Sequence, residues 1–207
     1  MGAIVQINGI PSKGILDKAI ESVCNMTHRG AVDADMKTGD GSGILSQIPR
    51  KLFAKAAEKL GTKVEDAADI AVGAFFFPAG DEETRKNIQK LAEETLVERG
   101  ISIIGWRDVP VAPEELGELG KKTRPDILHL LMLKPSGWEA DHYERQLYLV
   151  RRTIEHATKE VQGFYMPSFS SRLISYKGLA MPATLRAFYK DMQDDDFETA
   201  IALYHQR

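Results

Sequence analysis

The sequence predicts a single globular domain that mixes helices and strands along its whole length, and three observations carry that expectation. The run over residues 70–77, Ile-Ala-Val-Gly-Ala-Phe-Phe-Phe, is almost wholly apolar, as a strand buried on both faces requires. Residues 139–158 place Tyr143, Leu147, Val150, Ile154 and Ala157 on one helical stripe, with Arg145, Arg151 and Arg152 off it. The 207 residues are 43% hydrophobic and 28% charged, which is enough apolar material for one sizeable core. Interspersed strands and helices allow a parallel doubly wound sheet. No strand-turn-helix unit carries the glycine pattern of a dinucleotide or P-loop site, so the alternation alone leaves the direction of the strands open.

Residues 3–7 read as a short strand, closed by Asn8-Gly9 and Pro11. A helix follows over 13–26, where Ile15, Leu16, Ala19, Ile20, Val23 and Cys24 recur at spacings of three and four, with Ser12 as its cap. The stretch 27–43 reads as irregular, since it holds four glycines and the aspartates Asp33, Asp35 and Asp40. A strand over 44–48 stops at Pro49, and a helix over 52–60 has Gly61 beyond its end. After the apolar strand, a charged helix over 81–99 ends at Gly100, and a strand follows over 101–106. A short helix over 114–122 precedes a strand over 127–133, which Lys134-Pro135 stops. Beyond the long helix, the hydroxyl-rich stretch from Phe164 to Arg172 reads as turn chemistry leading into a strand over 170–176. A helical turn over 184–189 and a strand starting at 200–204 complete the chain. No repeat, low-complexity segment or linker interrupts it.

Charge and cysteine content narrow the function class. The net charge is -3, from 27 basic and 30 acidic residues, which offers nothing to nucleic acid or an anionic membrane surface. The single cysteine, Cys24, excludes an internal disulfide and suits a cytoplasmic location. The first residues lack the basic and long apolar regions of a signal peptide, and no run approaches the roughly 20 apolar residues of a membrane helix. None of His28, His129, His142, His156 and His205 pairs at metal-ligand spacing, so no metal is expected. His129, inside an apolar strand, reads as a satisfied core histidine. Gly39-Asp-Gly-Ser-Gly43 lacks a Gly-Lys-Ser/Thr ending and precedes a strand. Its glycines therefore read as a tight turn or a close approach rather than a phosphate cradle. His28 and Arg29 sit just past a helix C-terminus, where positive charge suits the dipole; Arg29 is also well shaped to hold a carboxylate. Cys24 lies at helical spacing from Leu16 and Ile20 and reads as a buried, inert thiol.

Several of these stretches together resemble one family. Asn25-Met-Thr-His-Arg-Gly-Ala31, Thr38-Gly-Asp-Gly-Ser-Gly-Ile-Leu45 and Gln47-Ile-Pro49 look like the start of glutamate synthase of large-subunit type. So do Ala71-Val-Gly-Ala-Phe-Phe-Phe-Pro78, Tyr165-Met-Pro-Ser-Phe-Ser-Ser-Arg172 and Ser175-Tyr-Lys-Gly178. The last residues, His205-Gln-Arg207, are similar to the start of that family's His-x-Arg-Phe-Ser-Thr-Asn-Thr segment. The matches follow one another in order along the chain. The resemblance implies a class II glutamine amidotransferase domain of the N-terminal-nucleophile hydrolase superfamily. Its fold is α+β, a four-layer αββα sandwich of two mostly antiparallel sheets between helices. In that family a first-residue cysteine attacks the glutamine side-chain amide, its own amino group serving as base, and ammonia leaves. The ammonia then reacts with 2-oxoglutarate in a separate synthase domain or subunit. FMN and an iron-sulfur cluster belong to other domains, so no cofactor is expected here.

By the same resemblance, Arg29 matches an arginine beside the glutamine site, and Arg207 matches the arginine that holds the substrate α-carboxylate; a bidentate guanidinium suits that task. No nucleophile carries over. The chain starts Met1-Gly2-Ala3 where the family starts with cysteine, and Cys24 is internal, without a free α-amino group. The chain also stops before the family's oxyanion-hole Asn-Gly. The expectation is thus a partial domain over 1–207, incomplete at its C-terminal end and inactive alone. Two other readings stay open: an amino-acid-binding or regulatory module derived from the domain, and a stand-alone hydrolase using Cys24. An unpaired sheet edge is expected to favour a homo-oligomer.

Overall fold

Two compact units are each assembled from separate stretches of chain in the computed structural model: Met1–Leu52, Val109–Arg124 and Ser175–Arg207 in the first, Phe53–Asp108 and Pro125–Ile174 in the second. The structure describes residues 1–30 and 38–206, and of Arg29 only the backbone. Arg207 therefore lies outside the described residues, as does the Arg29 side chain.

In the first unit, β1 (Gly2–Val5), β8 (Ile201–Gln206), β2 (Ser42–Gln47) and β7 (Leu173–Gly178) form a sheet in the order β1-β8-β2-β7. The last strand, β8, runs antiparallel to both β1 and β2. Helix α1 (Lys13–Asn25) packs on β1 and β8, with Ile15, Leu16, Ala19, Ile20 and Val23 buried. That is the predicted stripe, less Cys24, which is only half-buried. Ser12 does stand at the N-cap, but its side chain caps nothing. It is extended backbone instead, exchanging hydrogen bonds with Thr199 (Ser12 N to Thr199 O 3.0 Å, Thr199 N to Ser12 O 3.3 Å). A tertiary strand pairing has replaced the local cap. Two short helices, α4 (Glu118–Thr123) and α6 (Pro182–Phe188), belong to the same unit.

The second unit is built on β4 (Ser102–Asp108), β5 (Asp126–Leu133), β3 (Ile70–Phe77) and β6 (Tyr165–Ser170), in the order β4-β5-β3-β6. All three of these ladders are antiparallel. With those of the first unit, they overturn the parallel doubly wound alternative. Every residue of β3 is buried. Phe75, Phe77, Leu130 and Met132 pack with Ile88, Ala92 and Leu96 of α3 (Glu82–Glu98) and with Tyr143, Leu147, Val150 and Ile154 of α5 (Ala140–Ala157). Each large apolar side chain removed from water here contributes about 1.5–3 kcal/mol. The Asp81 side chain accepts from Thr84 N at 3.0 Å and starts α3. Helix α2 (Arg50–Lys59) lies between β2 and β3 in sequence and carries Phe53, whose ring lies 5.5 Å from that of His129.

The stretch 164–172 departs from expectation. Residues 165–170 are a strand, β6, and the predicted strand over 170–176 begins only at Leu173. Pro167 and the hydroxyls suggest a turn, but β6 is an edge strand, where proline is tolerated. The register gives the reason. Ala74 pairs with Ser168 and Phe76 with Tyr165, so Met166 and Pro167 together oppose Phe75 as a bulge. The hydroxyls serve the turn after β6, where Ser170 Oγ and Ser171 Oγ each donate to the Glu144 carboxylate at 2.5 Å and Ser171 N donates at 2.8 Å. The fold class is α+β, with two antiparallel sheets accompanied by helices, as the resemblance implied.

Candidate functional site

The sheet of the first unit gathers four chain segments at one end. Gly2 pairs with Tyr204, Gly43 with His205 and Ser42 with Gln206, so the starts of β1 and β2 adjoin the finish of β8. Beyond α1, Thr27–Arg29 form a short 3-10 turn. Thr27 Oγ1 donates to Cys24 O at 2.5 Å and so closes the helix end. Gln206 then ties this turn to β8, its Nε2 donating to Thr27 O at 3.3 Å across 179 residues of sequence. Gly30 makes the approach available: a Cβ there would stand 2.2 Å from Gln206 Nε2 and 2.9 Å from its Cδ. Gln206 Oε1 is buried without a hydrogen-bond partner among the described residues. The backbone of Arg29 and the residue preceding Arg207 are thereby held at one end of one sheet. What the two guanidinium groups touch lies outside the described residues.

The glycines of 39–43 work by close approach, one of the two roles read from the sequence. At Gly43 a Cβ would lie 2.5 Å from His205 Cε1 and 3.1 Å from Lys177 Cβ. Gly41 has φ +127, a conformation that side-chain-bearing residues rarely adopt, and faces Gly178 O. Ser42 Oγ donates to Ala180 O at 2.8 Å. Burial, then Lys177 and the chain's amino terminus, lower the His205 pKa below its ordinary value. The imidazole is therefore neutral near pH 7.

Cys24 is half-buried on the last turn of α1 rather than fully buried, because the stripe ends one residue earlier at Val23. Burial raises its thiol pKa, and the Arg186 charge opposes that shift only in part. The thiol stays protonated and is a poor nucleophile. His129 is 1% exposed on β5, with Arg107 Nη1 donating to its Nδ1 at 3.3 Å, the core role read for it from the sequence. Gln206, His205 and Lys177 escaped the sequence reading as site neighbours. Their one local signal is glycine inside or beside a strand, which marks a close approach without naming what approaches.

The family described as Glutamine amidotransferases class-II matches residues 1–207. The chain belongs to the class-II glutamine amidotransferases. Among its relatives are the glutamate synthase [NADPH] large chain of Azospirillum brasilense, 37% identical over 209 residues, and that of Bacillus subtilis, 33% identical over 209 residues. A third is the chloroplastic ferredoxin-dependent glutamate synthase of Oryza sativa subsp. japonica, 34% identical over 210 residues. Each similarity covers 100% of this chain and 13–14% of the relative, so the chain spans about one seventh of the length of the proteins it matches. Class-II amidotransferase resemblance is therefore a property of the whole chain and not of its short motifs alone. No helix among the described residues is long and apolar enough to cross a membrane.

Proposed function

We propose that this chain is the glutamine-holding part of a glutamate synthase amidotransferase domain, which hydrolyses glutamine to glutamate and ammonia in glutamate biosynthesis. The observation that carries the reading is the joining of the Thr27–Gly30 turn to Gln206. It brings the turn that carries the Arg29 backbone to Gln206 at the end of β8, the residue that Arg207 follows in sequence, in a family matched from residue 1 to 207. Arg29 lies beside the ligand and Arg207 holds its α-carboxylate. A planar guanidinium gives two parallel hydrogen bonds to a carboxylate, and lysine cannot do the same. Ammonia passes to a synthase domain or subunit, where it meets 2-oxoglutarate. FMN and the iron-sulfur cluster belong there and not to these residues. The compartment is the cytoplasm.

A polypeptide of these 207 residues holds glutamine without cleaving it. Its one thiol, Cys24, is raised in pKa by burial and sits in mid-chain, so it has neither the thiolate nor the α-amino base that the reaction needs. That feature equally favours an amino-acid-binding or regulatory module descended from the same domain. Ammonia release from glutamine by the purified chain is expected to be absent. Turnover that persists in Cys24→Ala would sink the inactive reading, and turnover abolished by Cys24→Ala would favour a Cys24 hydrolase. Self-association through the β1 edge belongs to the proposal. Val5, Ile7 and Ile10 are exposed, and residues 1–12 carry no charged side chain to discourage strand pairing. A concentration-independent monomer by light scattering would remove that part alone.

A further inference from the structure

Residues 7–10, between β1 and α1, form an exposed turn that the proposed function leaves unused. The chain is fastened on both sides of it: Gln6 N donates to Ala200 O at 2.8 Å, and Ser12 N donates to Thr199 O at 3.0 Å. Within the turn, Gly9 N donates to Gln6 O at 3.0 Å and Ile10 N donates to Asn8 Oδ1 at 3.0 Å. A Cβ built at Gly9 meets nothing within 4 Å, so the space around the Asn8-Gly9 peptide is open. The backbone nitrogen after an asparagine can close a five-membered ring on the side-chain amide carbon, and glycine carries no side chain to obstruct it. Sequence adjacency supplies the proximity. Attack by Gly9 N on Asn8 Cγ pushes negative charge onto Oδ1, the atom to which Ile10 N already donates. A donor fixed in advance where charge develops lowers the barrier. The bond from Gly9 N to Gln6 O opposes the attack, but it lies in an exposed turn, where water replaces it at small net cost.

The other two asparagines are placed differently. Asn25 is the last residue of α1 and precedes Met26, whose N donates to Val23 O at 3.1 Å. Asn87 lies inside α3 and precedes the buried Ile88, whose N–H belongs to the helical ladder. We propose that Asn8 is a modification site at which the chain deamidates spontaneously. The bond between Gly9 N and Asn8 Cγ forms and the bond between Cγ and Nδ2 breaks. The amide nitrogen leaves as ammonia, with the proton that Gly9 N gives up. Water then opens the cyclic imide at either carbonyl and leaves aspartate or isoaspartate at position 8, with no change of oxidation state. Either product puts a carboxylate among residues 1–12, which carry no charged side chain. Isoaspartate also lengthens the main chain inside a turn whose two sides are held by Ala200 and Thr199.

The test incubates the folded 207-residue chain at a series of rising pH values and digests it with trypsin. Cleavage after Lys13 separates the Asn8 peptide from those of Asn25 and Asn87. A free peptide of residues 1–13, incubated alongside, shows that the conditions permit the chemistry. Mass spectrometry is expected to find exchange of amide for carboxyl in the 1–13 peptide of the folded chain and not in the other two over the same time. The exchange is expected to quicken as pH rises, because Gly9 N must shed its proton to attack. Isoaspartate is expected among the products, since the imide yields it and direct hydrolysis of the side chain does not. Gly9→Ala, with its fold checked by circular dichroism, is expected to react at least about tenfold more slowly, the scale of a reacting atom held off its line of attack. An Asn8 that stays intact in the folded chain while the free peptide reacts would overturn the proposal. Equal exchange at all three asparagines, or aspartate without isoaspartate, would do the same.

Discussion

Each of the two units is held together internally by a different kind of information. In the second, β3, α3 and α5 bury large apolar side chains that their own spacing announces, and Phe75 alone lies within 6.1 Å, centroid to centroid, of four other aromatic rings. In the first, the end of the sheet that carries the candidate site is shaped by what is missing, the side chains at Gly30 and Gly43. A core built by presence tolerates conservative exchange, provided volume is kept. A site built by absence has no conservative exchange, since any Cβ collides. Substitutions should therefore separate the two: truncation hurts the second unit, and enlargement hurts the first.

The largest effect is expected from Phe75→Ala, which empties the middle of that aromatic cluster and should cost about 3–5 kcal/mol in denaturant unfolding. Glu144→Ala removes the acceptor of three hydrogen bonds at the β6–β7 turn and should cost about 2–3 kcal/mol, with Ser170→Ala producing only part of it. Gly30→Ala brings a methyl into the Gln206 amide and should cost about 1–3 kcal/mol. Combined with Gln206→Ala, the loss should shrink, because the colliding group is gone. Additive losses in the double variant would mean that the two segments do not meet as described. The smallest effect concerns His205. Its folded pKa lies below its unfolded value near 6.5, so the unfolded chain binds the proton first. Stability from this group is complete above that value and falls as pH drops through the folded pKa. The check is an NMR titration placing the imidazole midpoint below 6.5.

How far the sequence was legible follows the same division. The strand Ile70–Phe77 appears as read, and so does the stripe of α5 at Tyr143, Leu147, Val150 and Ile154, because local spacing suffices to bury a face; Ala157, expected on that stripe, is exposed at the helix end. The strand β6 departs from the turn that the sequence suggests, since Pro167 and three serines signal a turn locally. A bulge on an edge strand and a carboxylate from α5 absorb them tertiarily. Ser12 failed as a cap for a similar reason, its backbone being taken by Thr199. The site itself had no local signature beyond glycine and arginine. Thr27 and Gln206 meet across 179 residues, and nothing in either stretch names the other. Family resemblance supplied Arg29 and Arg207; the close packing at Gly30 and Gly43 supplied the neighbours that resemblance did not.

The central claim is that the turn after α1 and the end of β8 together hold glutamine. Calorimetric titration of L-glutamine into the wild-type chain and into Arg29→Ala and Arg207→Ala tests it most directly. The expected result is saturable wild-type binding, weakened at least about tenfold in each variant, the cost of losing charge-assisted hydrogen bonds to a carboxylate. Absence of wild-type binding, or equal binding by all three chains, would contradict it.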